Sequence, residues 1–157
     1  MRSLRARPLV LIVEDDPDVL LILRLNLEGA GCDTTLAADG DTAVRRIDAD
    51  RPDAVLLDLM LPIVDGWEVL VELTSREGAP PVVVCSARRS ENDVTRAMRL
   101  GAADFLSKPF DLDQLVASIL DVTGMHADHE TQQAPAPAVW GAGLVEGIGL
   151  DGVGTSS

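Results

Sequence analysis

A chain of 157 residues provides one domain with some length to spare. With 46% apolar residues, only 3% aromatic ones and no Tyr, its core must be built from Val, Leu, Ile and Ala, as suits a parallel sheet covered by helices. The formal net charge of −13 argues against a nucleic-acid-binding face, which needs clustered Lys and Arg, and fits cation binding or contact with a basic partner.

Cys32 and Cys85 form neither a metal-ligand spacing nor a disulfide framework. No signal peptide is expected, because the apolar run after the basic start ends at Glu14-Asp15-Asp16, and that run is too short to span a bilayer. Reduced thiols, a cytoplasmic location and no membrane partner are therefore expected. Leu9 to Val13 is a branched apolar run ending at Glu14-Asp15-Asp16, the pattern of a buried strand. Asp16-Pro17 supplies an N-cap and a first-turn proline for a helix that runs to about Glu28 and stops at Gly29-Ala30-Gly31. In that helix Val19, Ile22, Leu23 and Leu27 are assigned to the core stripe. Leu20, Leu21 and Leu25 are apolar as well, which suits either a wide buried face or docking onto a helical partner.

Cys32 to Ala37 is read as a second strand, Gly40 to Ala49 as a second helix and Ala54 to Leu57 as a third strand ending at Asp58. After the loop Leu61-Pro62-Ile63-Val64-Asp65-Gly66 come a third helix over Trp67 to Arg76 and a fourth strand over Val82 to Cys85, ending at Ser86. Ser90, with Asp93 three residues on, opens a fourth helix in capping-box style, and Gly101 closes it. Asp104 to Leu106 is a short fifth strand before Ser107-Lys108-Pro109, and Asp111 to about Thr123 is a fifth helix. Five strand–helix repeats predict an α/β fold with a doubly wound parallel sheet and right-handed crossovers. Residues 124–157 hold 7 of the 13 Gly, two Pro and no Lys or Arg. The expected organisation is a folded domain over 1–123 and a flexible acidic tail, rich in Gly, Ala and Pro, over 124–157.

The unusual polar residues all sit just beyond strand ends. Glu14, Asp15 and Asp16 follow the first strand, Asp58 the third, Ser86 the fourth, and Lys108, the single lysine beside 12 Arg, the fifth. Ligands of open α/β sheets bind at that edge, where strand order reverses. In a flavodoxin-like (βα)5 sheet of order 2-1-3-4-5 the first and third strands flank the reversal, which sets the acidic cluster opposite Asp58. Two like charges ~4 Å apart repel by about 4 kcal/mol at an effective dielectric near 20. The carboxylates must therefore take up a proton or share a divalent cation, and hard oxygen ligands suit Mg²⁺. With the charge neutralised, Asp58 can attack phosphorus to form an acyl phosphate, Lys108 can pair with a phosphoryl oxygen and Ser86 can donate a hydrogen bond. Singly, each residue has a plain structural explanation: Asp16 as a cap, Ser86 as a turn residue, Lys108 as a surface lysine. The functional reading rests on four strand ends supplying metal ligands, nucleophile, hydroxyl and cation together.

The ordered fragments Leu11-Ile12-Val13-Glu14-Asp15-Asp16, Leu56-Leu57-Asp58-Leu59-Met60-Leu61-Pro62, Asp65-Gly66, Ser86-Ala87, Gly101-Ala102-Ala103-Asp104-Phe105-Leu106 and Lys108-Pro109-Phe110 cover about residues 8 to 123. Together they resemble the single-domain type of response-regulator receiver domain in two-component signalling. The resemblance implies a phosphorelay phosphoprotein that takes an aspartyl phosphate on Asp58 from a histidine kinase or phosphotransfer protein, with Mg²⁺ as cofactor. It implies that Asp15 ligates the metal directly, with Glu14 beside it acting directly or through water, and that Asp58 and the Met60 backbone carbonyl complete the protein ligands. Ser86 becomes the switch hydroxyl, Phe105 the switch aromatic and Lys108 the grip on the phosphoryl group, and the bond before Pro109 is expected to be cis. Met60 and Arg88 occupy positions that tune dephosphorylation. The implied output is a downstream protein bound through the face of the fourth helix, fifth strand and fifth helix, and homodimerisation on phosphorylation is left open.

Departures from the family pattern are Ser86 where Thr is commoner, Phe105 for Tyr, and a slightly short interval of 27 residues between Asp58 and Ser86, which points to the third helix or its following loop. The Gly-rich tail offers no output domain, so protein contact is the expected output. A hydrolase of the haloacid-dehalogenase type needs a second Asp two residues after its nucleophile, and Met60 stands there. The expectation is a switch that catalyses only its own phosphoryl transfer and dephosphorylation, not a turnover enzyme. A binding module that is never phosphorylated fits poorly with the intact acidic cluster, Asp58 and Lys108.

Overall fold

The computed structural model describes residues 5–87 and 90–124. Arg88 and, beyond Gly124, the segment assigned as a tail lie outside the described residues. The elements are β1 (Leu9–Val13), α1 (Pro17–Gly29), β2 (Asp33–Ala37), α2 (Gly40–Asp50), β3 (Ala54–Asp58), α3 (Gly66–Thr74), β4 (Val82–Ser86), α4 (Glu91–Arg99), β5 (Asp104–Ser107) and α5 (Leu112–Thr123). All strand pairs are parallel and the order is β2-β1-β3-β4-β5, with the reversal between β1 and β3.

Residues of β3 and β4 are buried throughout, and those of β1 nearly so. A parallel sheet covered on both faces needs such unbroken apolar strands, because residues of either parity meet a helix. Leu11, Val13, Val55, Leu57, Val82 and Val84 share one buried cluster with Ala43 and Ile47 of α2, Leu70 and Leu73 of α3, and Ala97 of α4. Residues of opposite parity, such as Ile12 and Leu56, point to the other face, where α1 and α5 pack against each other. Both cysteines are buried free thiols. Among the described residues no helix is long and apolar enough to cross a membrane.

The structure sharpens several boundaries. Asp58 and Ser86 are the last residues of β3 and β4, paired with Cys85 and Ser107. They are ladder residues, not residues just beyond it, and their backbones are fixed by the sheet. Helix α3 ends at Thr74, two residues before the expected Arg76, with Ser75 as its C-cap. Asp16 caps α1 by accepting from the N–H groups of Asp18 and Val19. Ser90 opens α4 by accepting from the Asp93 N–H. One assignment on α1 is corrected. Leu23 and Leu27 are buried and Val19 and Leu20 half-buried, but Ile22 is exposed together with Leu21 and Leu25. Apolar residues run almost all round α1, so their spacing does not select a face, and packing against β1, β2 and α5 does.

The turn from β3 into α3 depends on a glycine. A Cβ at Gly66 would collide with the backbone carbonyl of Leu59, so no other residue lets the start of α3 approach the end of β3 this closely. The contact fixes the loop that carries Met60 past Asp58. Gly66→Ala is expected to lower the unfolding free energy by about 2–4 kcal/mol, measured by urea denaturation. A change below about 0.5 kcal/mol would show that the loop yields freely.

Candidate functional site

The polar residues converge at the C-terminal edge of the sheet. Glu14 extends the ladder by one residue, its N–H donating to the Ala37 carbonyl at 3.0 Å, and this holds a carboxylate in a buried position. Asp58 and Ser86 are buried at the ends of β3 and β4, while Asp15 is exposed. Beyond β5, the Lys108 N–H donates to the Ser86 carbonyl at 2.9 Å, and the Lys108–Pro109 bond is cis. The lysine thus starts from a backbone tied to β4 and reaches back across the sheet edge.

Lys108 Nζ donates to Glu14 Oε1 at 2.9 Å and to Asp58 Oδ2 at 3.1 Å. The second oxygen of each carboxylate is held by backbone. The Asp16 N–H donates to Glu14 Oε2 at 3.2 Å, and the Met60 N–H to Asp58 Oδ1 at 3.0 Å. These two donors carry no signature in a side-chain motif. A carboxylate that accepts from the backbone two residues on is the local turn that Asp readily makes, and that geometry is the signal that could have found them. The Met60 side chain lies exposed at the rim.

One carboxylate oxygen from each of Glu14, Asp15 and Asp58 lies within 4.8 Å of the others. An octahedral Mg²⁺ holds its ligands at ~2.1 Å, and therefore roughly 3–4 Å from one another. The three hard oxygens fit such an ion after a small side-chain rotation, and exposed Asp15 has room to make it. Charge points the same way: three carboxylates against one ammonium leave two negative charges uncompensated when all are ionised. Asp16 is not in the cluster; its side chain is engaged as the α1 cap. Phe105 is half-buried and packs against the core beside Val84, its partner on β4.

Burial pushes the Glu14 carboxyl above the usual carboxylate range, and the charge of Asp58 adds to this, while the Lys108 hydrogen bond opposes it. Burial works against the Lys108 ammonium as well, but its hydrogen bond to Glu14 and the charge of Asp58 outweigh that and raise its pKa. The lysine therefore stays protonated, and Glu14 is the carboxyl disposed to take up a proton. Cys85, paired with Asp58 in the ladder, is pushed up by burial to about 12 and remains a thiol.

A carboxyl raised in the folded state stabilises fully below its unfolded value, near 4.5 for Glu14, and that contribution is lost as pH rises through the folded value. With EDTA present, the Glu14 contribution is expected to decline from pH 4.5 toward neutrality. Glu14→Gln should flatten that part of the stability profile in urea melts. Identical pH slopes in the two proteins would contradict this electrostatic account.

The sequence matches the response regulator receiver domain over residues 10–120. It is 42% identical over 112 residues to the transcriptional regulatory protein PrrA of Mycobacterium tuberculosis, which covers 71% of this chain and 48% of that protein. The chain spans about half the length of the curated relatives it matches. Among solved structures it is similar to the receiver domain of the Francisella response regulator 1452, with a TM-score of 0.72, 30% identity, and coverage of 75% of this chain and 98% of that one. It is also similar to the receiver domain of the sensor histidine kinase PA1611 of Pseudomonas aeruginosa, solved with a magnesium ion coordinated in the active site cleft. There the TM-score is 0.69 and the identity 31%, over 76% of this chain and 99% of that one.

Proposed function

The chain belongs to the response regulator receiver domain family, and from that premise we propose that Asp58 is its phosphoacceptor and that phosphorylation switches its partner binding. The observation that carries this reading is the position of Lys108 Nζ, bonded at once to Asp58 and Glu14 beside three converging carboxylates. Glu14, Asp15, Asp58 and the Met60 backbone carbonyl would hold Mg²⁺, whose charge offsets the carboxylates and the phosphoryl oxygens when it is bound.

A phosphohistidine on a histidine kinase or phosphotransfer protein is the donor. A carboxylate oxygen of Asp58 attacks phosphorus in line, the P–N bond breaks, and the histidine nitrogen leaves with the electron pair. The Met60 N–H restricts the Asp58 carboxylate to one orientation before attack. Lys108 exchanges its bond to Asp58 for one to the phosphoryl group, a charge-assisted contact. Ser86 then donates to the phosphoryl oxygens and Phe105 moves into the space it leaves. The face of α4, β5 and α5 changes its preference between partners, a downstream protein or a second copy of the chain. This is a two-state equilibrium biased by differential interaction with the phosphoryl group. Met60 gives no general acid at the position where a phosphatase would need one, so turnover stays confined to the protein's own phosphoryl transfer and dephosphorylation. Met60 and Arg88 set the lifetime of the acyl phosphate. The receiver unit occupies 1–123 with 124–157 as an appended acidic segment, and the partnership with a kinase places the protein in the cytoplasm.

Acetyl phosphate with Mg²⁺ is expected to add one phosphoryl mass to the wild type and none to Asp58→Ala. Equal labelling of both, or sustained hydrolysis of phosphomonoesters, would sink the reading. The exposed Leu21, Ile22 and Leu25 on α1 form the apolar stripe on which the kinase helices dock. Leu21→Glu should slow phosphotransfer from the kinase roughly tenfold and leave labelling by acetyl phosphate unchanged. Equal loss with both donors would place the defect in the site or the fold instead.

A further inference from the structure

Helix α4 is held differently from its neighbours. Each of the other four helices buries at least two residues, and α3 buries five. Among its described residues α4 buries Ala97 alone. Little apolar area therefore opposes its displacement, the condition under which an element opens at low free energy. Beyond its packing on β5, two side-chain contacts tie it to α3. The Arg96 guanidinium lies over the Trp67 ring, 4.1 Å from its centroid, at the distance of a cation–π stack. At the far end, the Thr74 hydroxyl lies 2.9 Å from the carbonyl of Leu100, the α4 C-cap, and also contacts the Leu70 carbonyl at 2.8 Å.

Trp67 is itself joined to the site. It follows Gly66, whose Cα packs on the Leu59 carbonyl next to Asp58, and its N–H donates to Asp65 at 3.0 Å. The ring is buried in the core cluster, but its Nε1–H has no acceptor among the described residues. An unpaired buried donor penalises this packing, so the arrangement is not strongly favoured over a shifted one. Ser86 ends β4, the strand that leads into α4.

We propose that Arg96 and Trp67 form a latch that holds α4 against α3 in the unphosphorylated protein and opens when the site is phosphorylated. The inference builds on the reading of Asp58 given above. Trp67 stays with the rigid α3 while Ser86 draws the β4 end of the α4 connection toward the phosphoryl group. A stack at 4.1 Å is weakened by displacement of α4 in almost any direction. Arg96 is a positioning residue in this scheme and touches neither the phosphoryl group nor the metal.

The full chain has two tryptophans, and Trp140→Phe leaves Trp67 as the only emitter. In that background Arg96→Gln is expected to change the Trp67 emission, which establishes the stack in solution. Acetyl phosphate with Mg²⁺ should then shift the emission of the parent toward that of Arg96→Gln, with little further change in Arg96→Gln and none in Asp58→Ala. Arg96→Gln should also speed labelling by acetyl phosphate about two- to fivefold, the range corresponding to a cation–π contact at an exposed site, with Arg96→Lys between the two. Protein that gains the phosphoryl mass without a change in Trp67 emission would overturn the latch. Protein that gains no mass would overturn the phosphoacceptor reading instead. If Arg96→Gln fails to fold by circular dichroism, the comparison rests on Arg96→Lys, whose emission and labelling rate must then differ from the parent.

Discussion

Three carboxylates are forced together at one edge of a parallel sheet, with a single lysine among them. Glu14 and Asp58 are buried there, each with one oxygen on Lys108 and the other on a backbone N–H. Burial and the charge of Asp58 disfavour the ionised Glu14 carboxylate, which opposes folding. The ammonium offsets only part of that. The rest of the charge is left for something that is not protein, and a site that keeps unbalanced charge at a stability cost is commonly a site of chemistry. A divalent cation and a phosphoryl group together would satisfy both the uncompensated carboxylates and the lysine.

The scaffold makes this arrangement reproducible. Glu14, Asp58 and Ser86 belong to or extend the ladder, so their backbones move only if the sheet does. Gly66 closes the β3–α3 loop against Leu59, and the Met60 N–H holds the Asp58 carboxylate. The helices divide into firmly held and lightly held parts. Helices α1, α2, α3 and α5 insert large or several side chains, while α4 buries Ala97 alone, packs on β5 and is tied to α3 by a stacked arginine and a hydroxyl bond from Thr74. The proposed chemistry on rigid strands and the proposed response on a lightly held helix are compatible in one small domain because they draw on different contacts.

Much of this was legible in the sequence. Branched apolar runs ending in Glu14, Asp58, Ser86 and the Lys108 turn declare buried parallel strands, and the order of a doubly wound sheet then brings their ends together. The caps at Asp16 and Ser90 were readable because their side chains act locally. The outward face of α1 was not, since Leu20, Leu21, Ile22, Leu23 and Leu25 offer more apolar positions than one stripe can use, and only tertiary packing selects Leu23 and Leu27. Contacts between residues distant in sequence left no trace either. Arg96 on Trp67, Thr74 on Leu100 and Ser118 on Asp104 at 2.6 Å are set by how helices lie on the sheet.

The central claim is that Glu14, Asp15 and Asp58 form one cation site facing Lys108. Calorimetric titration of Mg²⁺ into the full chain at neutral pH tests it most directly. The account predicts saturable binding at one site in the wild type, weakened roughly tenfold or more by Asp15→Asn and by Asp58→Asn. Equal binding by all three proteins, or none by the wild type, would contradict it.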